Sequence, residues 1–595
     1  MTKYKRIAII DKDKCQPKAC NYLCYRSCPP VRMGQDAITI ENKETNTPPT
    51  IVEELCTGCG ICVSKCPFNA IKIINIGIDV SDPIHQYGIN SFRLYKLPVI
   101  EKGKITGLIG INGTGKTTAI NILSGNIIAN LGDYNNPKPN IQDVIDYYKG
   151  KNIQKYFIDI KNKKQKIAQK IQKIEEISKH FKEPIIQLLK KVTTDEQKLQ
   201  KILEDLELTK IQNKTPQEIS GGELQRVAIA ATLLKDASIY FFDEYTTYLD
   251  IKQRFKIARL LREKISEDKS ILLIEHDLAI LDYLSDYIQV MFGVKKAYGM
   301  CSNKKTTKKG INEFLDGFLK EENIRFRTNS IQFNTLKTDI EKTNTKLIEY
   351  PEITKKLGSF KLNIKPARIN KAEIIGVLGP NAIGKSTFIK ILAGELEADN
   401  IKLKDKLKVS YKPQTIDLDN DLLVSELFTG KDIDIDIFNS EIRSQLGIDK
   451  IFDQKVGELS GGELQKVAVA HAICKIADIY LIDEPSAFLD VEQRIIISNI
   501  IKNVINKKEL SALVVDHDIL FLDYISDRIL LFEGIPGEYG VANEISTIES
   551  AFNKFLKEQD ITYRQDPQTK RPRANKPGSQ KDQEQKRENR YYVTL

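Results

Sequence analysis

The sequence predicts a multidomain chain: a small N-terminal α+β domain, then two α/β domains of one design in tandem. Three observations predict it. Eight of the ten cysteines lie between Cys15 and Cys66. One ordered set of phosphate-handling motifs occurs twice, with Ser220 and Ser460 at equivalent places 240 residues apart. The chain has 595 residues, enough for several domains at roughly 100–200 residues each. The expected divisions are 1–75, 76–292 with an insertion near 133–165, a hinge at 293–330, 331–545, and a second hinge with a basic tail at 546–595.

Composition is that of a globular protein, 41% hydrophobic and 29% charged, which leaves material for buried cores. The net charge of +10 is the small difference between 90 basic and 80 acidic residues. It suits an acidic partner such as nucleic acid, or simply a well-solvated surface. The tail from Arg564 holds nine Lys/Arg against four Asp/Glu and is expected to be flexible, with Arg571-Pro-Arg573 docking on the protein or on RNA. No run approaches the roughly 20 apolar residues that span a bilayer. After Met1–Arg6 the apolar run is four residues long, too short for a signal peptide. A cytoplasmic protein with no membrane partner is therefore expected, and structural disulfides are disfavoured there. Crowded cysteines then point to metal.

The cysteines form two runs. Cys15, Cys20, Cys24 and Cys28-Pro29 make the first; Cys56, Cys59, Cys62 and Cys66-Pro67 make the second. The second matches the bacterial ferredoxin pattern for a [4Fe–4S] cluster, in which the proline-flanked fourth cysteine ligates the other cluster. By that rule one cluster takes Cys15, Cys20, Cys24 and Cys66, and the other Cys56, Cys59, Cys62 and Cys28. The alternative, two zinc sites, would want separated pairs of cysteines rather than three within seven residues.

The first α/β domain opens with an apolar strand that runs into Gly110-Ile-Asn112-Gly113-Thr-Gly115-Lys116-Thr117-Thr118, a P-loop between strand and helix. Its backbone N–H groups face phosphate oxygens, Lys116 reaches the β/γ-phosphates and Thr117 holds Mg²⁺. The second copy is Gly379-Pro-Asn381-Ala-Ile-Gly384-Lys385-Ser386-Thr387. Then follow Ser220-Gly-Gly222-Glu-Leu-Gln and Ser460-Gly-Gly462-Glu-Leu-Gln, which resemble the signature of ABC ATPases. Apolar strands ending in Asp243-Glu244 and Asp483-Glu484 come next: each Asp would orient Mg²⁺ and each Glu would activate water. His276 and His517, two of only five histidines, follow apolar strands in matched register and would bond a γ-phosphate. Gln414 in Tyr-Lys-Pro-Gln is a clear Q-loop glutamine and Mg²⁺ neighbour; Gln172 is its best counterpart, without the proline. The P-loops lie 269 residues apart, so the first domain carries 29 extra residues before its signature, placed in the polar stretch 133–165. That stretch reads either as a solvated hairpin or as a docking element.

A twin-cassette chain behind a double-ferredoxin domain resembles ABC subfamily E, the ribosome-recycling ATPases also called RNase L inhibitors. Further matching residues are Pro30-Val-Arg-Met-Gly34, Leu281–Asp286, and the paired segments Phe318–Arg327 and Phe555–Arg564. The resemblance implies two [4Fe–4S] clusters and two α/β ABC-type nucleotide-binding domains arranged head-to-tail. Lys116 and Asp243 would then face Ser460, and Lys385 and Asp483 would face Ser220. It also implies Tyr87 and Phe92 stacked on adenine, with Phe360 the weaker equivalent; ordinary core aromatics are the alternative. The implied activity is ATP-driven splitting of ribosomes after termination or stalling, by a monomer in the cytoplasm and nucleus. Implied partners are the small subunit with its rRNA and proteins, a class-I release factor or its stalled-ribosome paralogue, and initiation factors. Basic hinge residues such as Lys304-Lys305 and Lys308-Lys309 would contact rRNA phosphates.

Four departures stand out: Tyr245 in place of Pro, Ala382 in place of Gly, Asp516 in place of Glu, and Ile171 in place of Pro. Competing readings are a redox enzyme driven through the clusters, the ATPase part of a membrane transporter, and another translation-associated twin cassette.

Overall fold

The computed structural model describes residues 4–42, 46–77, 82–136, 138–333, 345–401 and 408–593. The chain forms two compact units. One comprises Met1–Tyr245, Lys264–Glu275 and Ser285–Thr328; the other comprises Thr246–Glu263, His276–Leu284 and Asn329–Leu595.

In the first unit the cysteine-rich segment begins and ends in an antiparallel pair, Tyr4–Ile10 with Ile71–Gly77. Between these strands the short helices Leu23–Ser27 and Ile61–Lys65 pack together. Its core is small: Ala8, Ile10, Ile38, Ile51 and Ile71, completed by Cys24 and Cys62. So few apolar side chains cannot supply much stability, and a domain of this size ordinarily leans on metal or disulfide cross-links.

The rest of this unit is built on a nine-stranded sheet. Its parallel centre runs in the order Tyr287–Val294, Ile105–Gly110, Ser270–Ile274, Ile239–Asp243, Ile167–Lys170. Strands 105–110, 239–243 and 270–274 are buried throughout, which explains their continuous apolar sequence. At one edge lie Tyr298–Cys301, Arg93–Leu94 and His85–Gln86. The hairpin 85–94 also fastens the cysteine domain. Asn90 Nδ2 donates to Ala8 O (3.1 Å) and Ile51 O (3.0 Å), and Arg93 makes a two-pronged pair with Glu53 (2.7 and 3.0 Å).

The second unit repeats the sheet strand for strand. Val409–Lys412, Ile479–Asp483, Ser511–Val515, Glu373–Leu378 and Arg528–Ile535 run parallel; Tyr539–Ala542, Phe360–Ile364 and Ile353–Leu357 form the edge. In each sheet the motifs leave the carboxyl ends of adjacent parallel strands. That is where doubly wound sheets open a crevice for ligands.

Three expectations need correction. The 133–165 stretch is not a purely solvated hairpin. It forms helices Ile141–Tyr147 and Asn152–Lys161, whose Val144, Ile145 and Phe157 join the same core as Leu108 and Phe241. The 293–330 segment does not begin as a hinge: it supplies Tyr298–Cys301 and Lys305–Thr306 to the first sheet, then the helix Thr307–Asp316. The basic tail is folded, not flexible. Tyr563–Gln565, Pro572–Ala574 and Tyr592–Val593 make a three-stranded sheet beside the helix Gln580–Arg587, and Arg571 is wholly buried.

Candidate functional site: two phosphate sites and a cysteine centre

Each P-loop wraps its lysine before a ligand-ready helix. Gly115 and Gly384 sit at φ +90° and +96°, N-terminal to helices Lys116–Leu123 and Lys385–Leu392, which also carry Thr117, Thr118, Ser386 and Thr387. A Cβ on Gly115 would lie 2.5 Å from Phe92, and one on Gly384 3.2 Å from Phe360, so both aromatics back onto their P-loops. Lys116 Nζ donates to Gly110 O (2.7 Å) and Asn112 Oδ1 (3.2 Å); Lys385 Nζ donates to Gly379 O (2.8 Å) and Pro380 O. Burial lowers the Lys385 ammonium to about 8 against the pull of Asp250, Glu484 and Asp483. An anion in the loop would raise it again. Ala382 takes φ +56°, in the left-handed region, as Gly113 does at φ +78°.

The acid pairs lie where the P-loops need them. Thr117 Oγ1 donates to Asp243 Oδ2 at 2.9 Å, and Ser386 Oγ to Asp483 Oδ2 at 2.8 Å. Burial and the neighbouring glutamate raise both aspartates, Asp243 to about 6. Asp243 Oδ1 is buried without a hydrogen-bond partner. A hydroxyl beside an unsatisfied buried carboxylate is an oxygen donor set that suits Mg²⁺.

In the second unit the glutamate of the acid pair is further tied. Glu484 Oε1 accepts from Gln414 Nε2 at 2.7 Å and lies 3.3 Å from His517 Nε2. Burial opposes ionisation of Glu484, but these two contacts and the Lys385 charge hold its carboxyl down to about 2. Asp516, the short replacement, reaches Ser486 N (3.1 Å) and Oγ (2.8 Å). Asp250 Oδ2 accepts from Asn381 N at 3.0 Å. His276 also lies in this unit and is buried.

The signature serines start 14-residue helices, Gly221–Leu234 and Gly461–Cys474, with Gly222 and Gly462 in the first turn. Glu223 accepts from Ser220 N (2.8 Å) and Glu463 from Ser460 N (3.1 Å), leaving other helix N–H groups for an anion. Tyr87 is 55% exposed, 6.5 Å from Phe92 between ring centres, and its hydroxyl meets Thr118 Oγ1 at 3.1 Å. Gln172 is exposed, two residues after Lys170, as Gln414 is two after Lys412.

Two residue pairs escaped the sequence reading. Lys170 and Lys412 are buried and bond the backbone of the acid pairs; Gln225 and Gln465 reach the same backbone from the signature helices. The signal was present as a lysine two residues before the glutamine in both cassettes.

The cysteines gather four and four. Burial and the neighbouring thiols of Cys24, Cys66 and Cys20 push Cys15 up to about 12; burial with Cys20 and Cys66 pushes Cys24 to about 11. Cys62 rises to about 12 through burial and then Cys56, Cys24, Cys28 and Cys59. Cys28, Cys56, Cys59 and Cys62 line one small cavity with Ile38, Ile51 and Ile73. Among the described residues no three His, Cys, Asp or Glu converge on a single metal ion. Thiols crowded in an apolar wall resist ionisation unless a cationic core neutralises them, and the donor set fits a polynuclear iron–sulfur group better than mononuclear zinc.

Lys305, expected on an RNA-facing surface, is buried among Glu313, Glu321 and Glu322 at 2.9–3.2 Å. Lys304 and Lys309 are also paired, with Glu101 and Glu321. The Lys305 charge is spent inside the protein, whereas Lys304 and Lys309 stay about half exposed.

Residues 99–247 and 363–487 match the ABC transporter family, residues 6–36 a possible Fer4-like domain of RNase L inhibitor, and residues 49–72 a 4Fe-4S binding domain. An ABC transporter ATP-binding protein of Methanocaldococcus jannaschii is 49% identical, covering 99% of this chain and 98% of its own. The translation initiation factor RLI1 of Saccharomyces cerevisiae is 40% identical, and ABC transporter E family member 1 of Arabidopsis thaliana 41%, each covering 99% of this chain and 98% of its own. A solved structure described as ribosome-bound archaeal Pelota and ABCE1 matches at TM-score 0.92 and 47% identity over 100% of both chains. Another, of the archaeal ribosome recycling factor aABCE1 with the ribosomal stalk protein aP1, matches at TM-score 0.81 and 47% identity, over 86% of this chain and 99% of its own. Among the described residues no helix is long and apolar enough to cross a membrane. With iron–sulfur domains ahead of two ABC-type nucleotide-binding domains, and likeness along the whole chain, the protein belongs to ABC subfamily E, the RNase L inhibitor family.

Proposed function

We propose that the protein is an ATPase that splits ribosomes into subunits after termination or stalling and thereby also serves initiation. The observation that carries this reading is the duplicated hydrolytic constellation behind a four-and-four cysteine domain. Relatives matched over nearly their whole length carry the names translation initiation factor and ribosome recycling factor, which supports it.

In this reading Lys116 and Lys385 bind the β/γ-phosphates. Thr117 with Asp243, and Ser386 with Asp483, hold Mg²⁺ near Gln172 and Gln414. Glu244 and Glu484 take the proton of the attacking water, and a carboxyl held as low as Glu484 is ionised at neutral pH, as a base must be. His276 and His517 bond the γ-phosphate, and the signature helices at Ser220 and Ser460 present N–H groups to phosphate. Tyr87, Phe92 and Phe360 are the base-stacking rings. ATP does work by binding one conformation of the protein better than another, and hydrolysis removes that difference. Cys15, Cys20, Cys24 and Cys66 would hold one [4Fe–4S] cluster and Cys28, Cys56, Cys59 and Cys62 the other, cross-linking a domain with little core of its own. Partners are the ribosome and a release-factor-type protein, in the cytoplasm.

Sucrose-gradient sedimentation tests this. Ribosomes incubated with the protein, ATP and an archaeal Pelota-type partner should shift from the assembled peak to subunit peaks. An unchanged profile with an actively hydrolysing protein would reject the recycling reading.

A further inference from the structure

Each acid pair ends in an awkward backbone. Glu244 and Glu484 sit at φ +49° and +48°, the left-handed region, which a non-glycine residue occupies only at a cost. Something must hold them there. Their N–H groups donate to the neighbouring strand, at Ile274 O (3.0 Å) and Val515 O (2.8 Å). Their carbonyls accept from the signature-helix glutamines, Gln225 Nε2 (3.0 Å) and Gln465 Nε2 (2.7 Å).

The third restraint is a buried ammonium. Lys170 is 1% exposed at the end of strand Ile167–Lys170; its Nζ donates to Asp243 O (2.9 Å) and Glu244 O (3.3 Å). Lys412 is 2% exposed at the end of Val409–Lys412; its Nζ donates to Asp483 O (2.7 Å) and Glu484 O (3.3 Å). Strand ends on a buried sheet are filled at least cost by apolar side chains. Sinking an ammonium there is expensive unless its donors are used. A lysine is the side chain that reaches two successive carbonyls with one atom and brings positive charge among the carboxylates. The arrangement recurs in two units whose sequences differ around it: Ala-Gln-Lys-Ile-Gln in one, Ser-Tyr-Lys-Pro-Gln in the other.

We propose that Lys170 and Lys412 are positioning residues for hydrolysis, clamping the two carbonyls that set the aim of Glu244 and Glu484. This rests on the ATPase reading above. Both ammonium groups are buried and spent on backbone carbonyls, so they act through the peptide that bears the base. Their loss should therefore slow the chemical step and spare binding.

The experiment compares the full-length parent, the pair Lys170→Met/Lys412→Met, the pair Glu244→Gln/Glu484→Gln, and the four combined. ATP turnover and affinity for a fluorescent ATP analogue are measured on each. The methionine pair should lose about 10- to 100-fold in kcat, with analogue affinity within about 3-fold of the parent. In the glutamine background the lysine changes should slow turnover no further, because the group they aim is gone. Should the methionine pair fold poorly, Lys170→Gln/Lys412→Gln retains a donor at each site and should give a smaller loss of the same kind. Parent-like kcat in a folded variant overturns the proposal, as does an equal loss of affinity or a loss that adds to that of the glutamine pair. A parent without ATPase activity overturns the ATPase reading and the clamp with it, and is told apart because it needs no lysine variant.

Discussion

Asp523 shows how one carboxylate can set a pH dependence away from any phosphate. The Tyr592 hydroxyl donates to its Oδ1, and burial raises the carboxyl to about 6 in spite of Tyr592 and Lys502. A carboxyl raised on folding favours the folded state below its unfolded value near 4. That contribution is lost as pH climbs to about 6, and above this the ionised group is a burden. The residue keeps some surface in solvent, which trims the cost to about 2 kcal/mol near pH 7. Asp523→Asn keeps an oxygen for Tyr592 and should stabilise the protein by up to that amount near pH 7, with the gap closing below about pH 4. Thermal unfolding across this range checks it, and a gap that does not vary with pH contradicts it. Single residues also mark what could be read in advance. The grouping of Asp243 with the P-loop and of Glu484 with His517 was legible because the spacing and type of these residues follow from phosphate chemistry. Lys305 was misread because sequence shows a charge but not the three glutamates folded around it.

At the scale of elements, the tail from Tyr563 is the clearest case of tertiary structure overriding composition. Rich in Lys, Gln and Pro, it has too few apolar residues to fold alone. It folds by inserting Arg571, with no exposed surface, against Asp282 of the helix Leu278–Leu284, with Arg573 on the same carboxylate at 3.3 Å. Thr562 and Asn575 complete the network through Asp582 (2.7 Å) and Gln585 (2.6 Å). Arg571→Met leaves Asp282 with one long contact and should cost about 3 kcal/mol, as breaking a buried pair does; Arg571→Met/Asp282→Leu should recover much of it. Denaturant unfolding of both variants decides the point, and a cost under about 0.5 kcal/mol for the single change would show that the pair does not anchor the tail. The insertion teaches the same lesson. Its 29 residues were countable from motif spacing, but Val144, Ile145 and Phe157 entering the sheet's core could not be told from a polar stretch with scattered apolar residues.

At the scale of the whole molecule, two architectures share one chain because their demands differ. The α/β domains bury enough apolar strand to stand on their own cores, whereas the cysteine domain does not. Domain order was legible because cysteine spacing and a motif repeat survive without any tertiary knowledge. The division of the chain was less so. Segments Thr246–Glu263 and His276–Leu284 lie between first-cassette strands in sequence yet belong to the second compact unit, a placement set by contacts far apart in the chain. The hairpin 85–94 joins two functions in ten residues: Tyr87 and Phe92 stand by the first P-loop, while Asn90 and Arg93 hold the cysteine domain.

Cassettes and cysteine domain work as parts of one ribosome-splitting machine in the function proposed above. The decisive experiment is light scattering of assembled ribosomes mixed with anaerobically purified protein, partner and ATP. The parent should split ribosomes rapidly, and Glu244→Gln/Glu484→Gln should turn over ATP slowly but measurably. Cys28→Ser should lose splitting and retain ATPase activity. Splitting by Cys28→Ser at the parent's rate, or none by a parent with filled clusters and normal ATPase activity, would contradict this reading.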